Sequence, residues 1–227
     1  MQFRQQSDIS LKPWRILSIL SMLSLQGGSA HADATLPRVL VISPAAVQGW
    51  QERRFHGETS YRVEDGGRGP ALHAVAVGSA SGRCLQVGID LQSVPIVRWF
   101  WRLDQAPPRR DERTREGDDQ GLRLSFLYQA GVMEEDILAL QYVWSQSEQP
   151  GAIWPNPFVA NAHELAARSG PAQPGRWRTE RRDLQADFRA AFGQAVDQVD
   201  AVCLMTDGDQ TGALVEGWYG DITFQAR

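Results

Sequence analysis

Apolar and polar positions alternate with a period of two along much of this chain, in short runs separated by Gly, Pro and Asp. Residues 59–63 lead into Glu64-Asp65-Gly66-Gly67-Arg68-Gly69-Pro70, and residues 71–77 form a second alternating run. Two such runs around a turn-rich stretch predict a hairpin. Residues 96–103 place Trp99, Trp101 and Leu103 on one side of a strand and Arg98, Phe100 and Arg102 on the other, because successive strand side chains point to opposite faces. Trp99 and Trp101 are the side expected in the core. Further strands are expected at 122–128, 137–144, 176–181, 199–205 and 219–224. The charged stretch 105–119 has no apolar period and is expected to be a solvated loop. Residues 150–157, with three prolines, are expected to be a rigid turn region. Only residues 184–192 carry a helical period, with Leu184, Phe188, Ala191 and Phe192 on one face and Gly193 as the stop. Many short strands and one short helix predict an all-β fold, an antiparallel β-sandwich of jelly-roll-like form.

The N-terminus has a different pattern. Arg4, Lys12 and Arg15 precede an uncharged apolar run at 16–25, and Gly27-Gly28 and Ser29-Ala30-His31-Ala32 follow. That order predicts a secretory signal peptide cleaved after Ala32, and the run falls well short of the roughly 20 apolar residues of a spanning helix. The expected organisation is therefore a leader at 1–32, a lead-in at 33–45 and one sandwich domain at 46–227. The expected location is the periplasm or the exterior, with no transmembrane anchor once the leader is removed. The net charge of the whole chain is −4. Cleavage removes three basic residues and one acidic residue, so the mature chain stands at −6. An acidic chain without a basic tract argues against a nucleic-acid partner. Cys84 and Cys203 are the two cysteines. In an oxidising compartment they can pair, and within apolar runs they can equally serve as small core residues.

Several spaced segments resemble a bacterial domain-of-unknown-function family, number 3047. They are Trp50 with 55–61, Ser79-Ala80-Ser81-Gly82, Trp99-Phe100-Trp101-Arg102, Gly117-Asp118-Asp119 with Arg123, and Tyr142-Val143-Trp144. Trp177 with 180–183, then 205–211, and Tyr219-Gly220-Asp221-Ile222 continue the match. The resemblance implies no activity. Asp221-Ile222-Thr223-Phe224 is also similar to the last strand of galactose-binding-type jelly rolls of carbohydrate-binding modules, which implies fold more than ligand.

The candidate site begins with Asp118, Asp119 and Arg123. Neighbouring carboxylates on an extended chain face opposite ways, so one can meet sugar hydroxyls while the other pairs with Arg102 or Arg123; the alternative is that Asp118 and Asp119 cap the loop and form a buried or rim ion pair. Trp144, Trp154 and Trp218 lie near turns and are candidate stacking platforms for a sugar ring, completing a mixed polar and aromatic ligand set. Asp207 and Asp209 form a weak candidate metal loop, since the twelfth position of an EF-hand reading falls on Trp218 instead of Glu. No nucleophile elbow, zinc motif or phosphate-cradling loop is present, and no cofactor is called for. The expectation is a non-catalytic exported binding module for a glycan or another polyhydroxylated envelope component. An envelope structural domain with a protein partner is one alternative, and a carbohydrate-active hydrolase is another.

Overall fold

The computed structural model describes residues 39–131, 133 and 136–227. The expected leader and its cleavage point lie outside the described residues. Thirteen strands follow in order: β1 Leu40–Ile42, β2 Gln51–His56, β3 Ser60–Asp65, β4 Pro70–Val77, β5 Ala80–Asp90, β6 Ile96–Gln105 and β7 Arg123–Gln129. The others are β8 Ile137–Ser145, β9 Ile153–Pro155, β10 Ala162–Ser169, β11 Arg178–Asp183, β12 Gln198–Asp207 and β13 Leu214–Gln225. Two helices accompany them, α1 Pro44–Val47 and α2 Leu184–Phe192.

The strands form two packed sheets. Sheet I runs β11-β6-β13-β4-β3, with β1 on β13, and sheet II runs β2-β5-β12-β7-β8-β10-β9. This is the jelly-roll-like sandwich expected from the alternation. All pairings are antiparallel except β8 with β10. The lead-in stretch takes part in the fold, because β1 pairs with Ile222–Phe224 at the end of β13. The turn region at 150–157 contains β9, which returns antiparallel along β10.

Local chemistry explains the two clearest elements. Strands β3 and β4 pair from Asp65–Pro70 to Ser60–Val75 across the predicted turn. Helix α2 starts at Asp183, whose carboxylate accepts from Ala186 N at 3.2 Å, and stops at Gly193 in the left-handed conformation. Between the sheets lies an aromatic core. Trp99 meets Trp101 edge-on at 5.3 Å and Tyr142 at 5.0 Å, and Phe126 meets Tyr142 and Phe224 at 5.8 and 5.9 Å. These contacts need residues from both sheets, so forming them ties the sheets together.

Cys84 and Cys203 are cross-strand partners on β5 and β12 and form a disulfide. Of the two roles left open by the sequence, pairing is the one the structure adopts. The bridge closes a loop of 119 residues, which in the chain-entropy treatment gives a ceiling of about 4–5 kcal/mol of stabilisation. Reduction, or the double change Cys84→Ser and Cys203→Ser, is therefore expected to lower the denaturant midpoint in a chemical-unfolding titration with an unchanged folded baseline. A midpoint that does not move would show that the bridge adds nothing to stability.

Candidate functional site

The segment between β6 and β7 is the first departure from the sequence expectation. It was expected to be solvated, but it folds as a strap over the face of sheet II that points away from sheet I. Its charges supply the anchors. Glu112 is buried and accepts from Ser145 Oγ and, at 2.6 Å, from Gln146 N. Arg113 binds Glu148 through two bonds of 2.8 and 2.9 Å, and Arg115 donates to Pro157 O. Beneath the strap Val143, Trp154 and Ala166 form a small apolar cluster of their own.

The strap ends on a buried charge cluster at Arg123. One guanidinium nitrogen of Arg123 lies 3.4 Å from Asp118 Oδ1, 3.4 Å from Asp207 Oδ2 and 3.6 Å from Glu164 Oε1. Gln120 donates from its backbone to Asp207 and from its side chain to Glu164, and Asn156 donates to the other Glu164 oxygen. Asp119 turns the opposite way and accepts from Gln210 N, Thr211 N and Thr211 Oγ1. The Asp118 and Asp119 carboxylates thus point apart, although Asp118 closes a short helical turn at 115–117 and is not extended, and both are enclosed.

One cation cannot balance three buried carboxyls. Burial pushes the Glu164 and Asp207 pKa values well above the ordinary carboxylate range; Arg123 opposes the rise and Asp118 adds to it. Burial by itself would weaken protonation of Arg123, but Asp207, Asp118 and Glu164 outweigh it and raise its pKa. The cluster therefore stores protons as well as charge. Asp209 joins at the rim, its pKa raised by burial and by Asp119.

The metal candidates Asp207 and Asp209 do meet, with Asp119, to within 4.8 Å. The oxygens of Asp119 and Asp207 already accept bonds from the Gln210, Thr211, Gln120 and Arg123 donors. A cation there would have to compete with those donors. The adjoining pocket beside Thr114, Glu116, Gln210 and Thr211 has a volume of about 250 Å³, below the usual size of a ligand site.

The proposed stacking platforms need correction. Trp144 and Trp154 are each 1% exposed. Trp144 packs against Trp101 in the core and Trp154 lies beneath Arg113 of the strap, so neither ring offers a face to a sugar. Trp218 is 7% exposed although it sits on the outward face of sheet I. His73 stacks on it at 4.1 Å, and the Arg102 guanidinium lies 4.5 Å from its ring centre. Arg102 does not join the Arg123 cluster. It belongs to a cross-strand row on the opposite side of the sandwich, with register partners His73, Trp218 and Arg102.

That row continues to Trp177, which the candidate set omitted. The Arg102 guanidinium lies 5.5 Å from the Trp177 ring, and both side chains donate to Gly66 O at 3.0 Å. A side chain at Gly66 would come within 2.8 Å of Trp177, so the glycine makes the seat for this half-buried indole. Asp104 accepts from both Arg102 and Trp218, while Glu64 and Glu216 flank His73. The outward face of sheet I thus presents a fixed row of aromatic and guanidinium groups with carboxylates at its edges.

A two-sheet jelly-roll sandwich with a strap sealing one face and an aromatic–guanidinium row across the other defines the class of protein. A family model described as "Protein of unknown function (DUF3047)" matches residues 48–223. The chain belongs to that family. Curated proteins give no match. Among solved structures, the chain is similar to a low-affinity xylan binding module, CBM86, from Roseburia intestinalis, with 12% identity, a TM-score of 0.35, and 83% of this chain and 96% of that one covered. It is also similar to a cellulase derived from Cel12A of Rhodothermus marinus, with 12% identity, a TM-score of 0.40 and coverage of 82% and 97%. The xyloglucanase domain of NopAA from Sinorhizobium fredii gives 8% identity, a TM-score of 0.40 and coverage of 78% and 90%. At these identities and scores, no ligand or activity passes from them to this chain.

The proton-loaded cluster has a measurable consequence. Burial raises the Glu164 and Asp207 pKa values above those of the unfolded chain, so the folded chain favours their protonated forms. Their contribution is complete below the ordinary carboxylate range and is lost as pH rises through the raised values. His163, whose pKa burial lowers, contributes with the opposite slope, so the difference between two variants is the cleaner readout. Relative to Glu164→Gln, which fixes the uncharged shape, the native chain is expected to lose melting temperature steadily as pH rises above the ordinary carboxylate range. Parallel curves in thermal melts followed by circular dichroism would rule out a protonated Glu164.

Proposed function

We propose that this protein is an exported, non-catalytic binding module whose ligand is a glycan or a related polyhydroxylated component of the cell envelope. The observation that carries the reading is the row Trp177–Arg102–Trp218–His73 across the outward face of sheet I. Its side chains are held by mutual stacking and by bonds to Gly66 and Asp104, so little ordering remains to be done when a ligand arrives. Half-exposed Trp177 and Phe100 offer apolar ring surface, and Arg62, Glu64 and Glu216 offer groups for hydroxyls. Such mixed surfaces orient polar ligands.

Two further observations support the parts of this reading. The signal-peptide pattern and the Cys84–Cys203 bridge agree on an oxidising compartment. If export occurs as proposed, N-terminal sequencing of protein recovered from the periplasm or medium will begin at Asp33; a start at Met1 would overturn it. The sealed state of Asp118, Glu164 and Asp207 favours binding over hydrolysis, because a general acid must reach the proton acceptor it serves.

An array of envelope and plant-type polysaccharides tests the binding reading. We expect at least one polysaccharide to bind, and Trp177→Ala to weaken that binding by about tenfold or more. Trp177→Phe, which keeps ring packing on Gly66, should retain most of it. A folded protein that binds nothing on the array would move the assignment to an envelope interaction domain. The exposed cross-strand pair Val77 and Leu214 would then be the first contact surface to test.

A further inference from the structure

We infer that the ligand of this face is an acidic polysaccharide, with a uronate carboxylate held between Arg98 and Arg181. This inference rests on the binding reading above and names its ligand class. Arg98 on β6 and Arg181 on β11 are direct cross-strand partners, and both are exposed on the outward face of sheet I. Like charges placed directly opposite each other weaken a sheet. Several surface arginines are matched: Arg54 with Glu52 and Glu58, Arg113 with Glu148, Arg168 with Glu180, and Arg227 with Asp183. Among the described residues, Arg98 and Arg181 make no ion pair with an acid. Exposed Arg62, Arg68, Arg109, Arg110, Arg176 and Arg189 make none there either, and what sets Arg98 and Arg181 apart is that they stand directly opposite each other across two strands.

The surroundings suit a carboxylated sugar better than a bare anion. Arg98 lies 5.0 Å from the Phe100 ring centre. Phe100 is opposite Thr179 of β11, and Arg98 is opposite Thr223 of β13. A carboxylate between the guanidinium groups would therefore place its sugar ring beside an aromatic face and two hydroxyls. The next pleat along the strand leads to Arg102 and Trp177. Guanidinium groups favour paired bonds to a carboxylate. Two acids share this end of the face. Asp183 is held by Arg227 and by the α2 N-terminus, and exposed Asp221 sits where β13 slips register opposite β6. With a net charge of −4 on the whole chain, a polyanion gains no long-range attraction, so recognition has to come from this local pair.

The test is affinity electrophoresis and calorimetry of the mature protein with polygalacturonate, its fully methyl-esterified form and dextran sulfate. Polygalacturonate is expected to bind about tenfold or more tightly than the ester, and Arg98→Gln or Arg181→Gln to remove most of that preference. Both side chains are exposed, so the variants should fold. Without ligand they are expected to melt about 1–3 °C higher than the parent, because the like-charge contact is gone. Equal binding of acid and ester, insensitive to both substitutions, overturns the inference and leaves the binding module standing. Equal binding of dextran sulfate overturns the carboxylate assignment in favour of general polyanion contact. Binding of no polysaccharide, here and on the array, overturns both readings.

Discussion

The buried guanidinium of Arg123 is the interaction on which the closed form of this sandwich depends. It joins the strap residue Asp118 to Asp207 at the end of β12 and Glu164 on β10. These groups come from distant parts of the chain, and each would be costly to bury alone. Gln120 and Asn156 complete the arrangement by donating to Glu164. Burial raises the pKa values of Glu164 and Asp207, which favours their protonated forms where one cation faces three carboxyls. A charged loop thereby becomes the cover of a sheet, with its charge turned inward.

That closure divides the molecule by role. Under the strap, the outward face of sheet II is filled by Arg123, Glu164, Val143 and Trp154, all of them buried. Among the described residues, no strap crosses the outward face of sheet I. There the side chains order one another in the plane of the sheet, by stacking of His73, Trp218, Arg102 and Trp177. Trp218 is packed by His73 and Arg102 and bonded to Asp104, and the row keeps a half-exposed indole, Trp177, at the surface. The two faces carry similar residue types, and what covers each face separates a structural cluster from a ligand surface.

The sequence and the structure agree where the determining interactions are local. The β3–β4 hairpin follows from its turn residues, and α2 follows from its apolar face, the Asp183 cap and Gly193. Strand β6 alternates as its pattern requires, so Trp99 and Trp101 face the core. Asp118, Asp119 and Arg123 could be singled out together because they are near neighbours in sequence. Glu164 could not. It lies in an Ala- and Glu-containing stretch with little strand character, and β10 exists because β8 and β9 supply its edges. Trp144 and Trp154 were expected at the surface because they lie near turns, but position along a chain does not reveal which distant segment lies on top.

Alternation and turn chemistry by themselves determined that this chain forms a strand-rich sandwich, where α2 begins and ends, and which side of β6 is buried. These are properties of residues within a few positions of one another. Only the tertiary structure decided that the cysteines pair, that the charged segment is a strap, that Arg123 serves three carboxyls, and that Arg98 stands opposite Arg181. Each of these depends on register between strands far apart in the chain. Such register is set by packing two whole sheets together, which no short window of sequence contains.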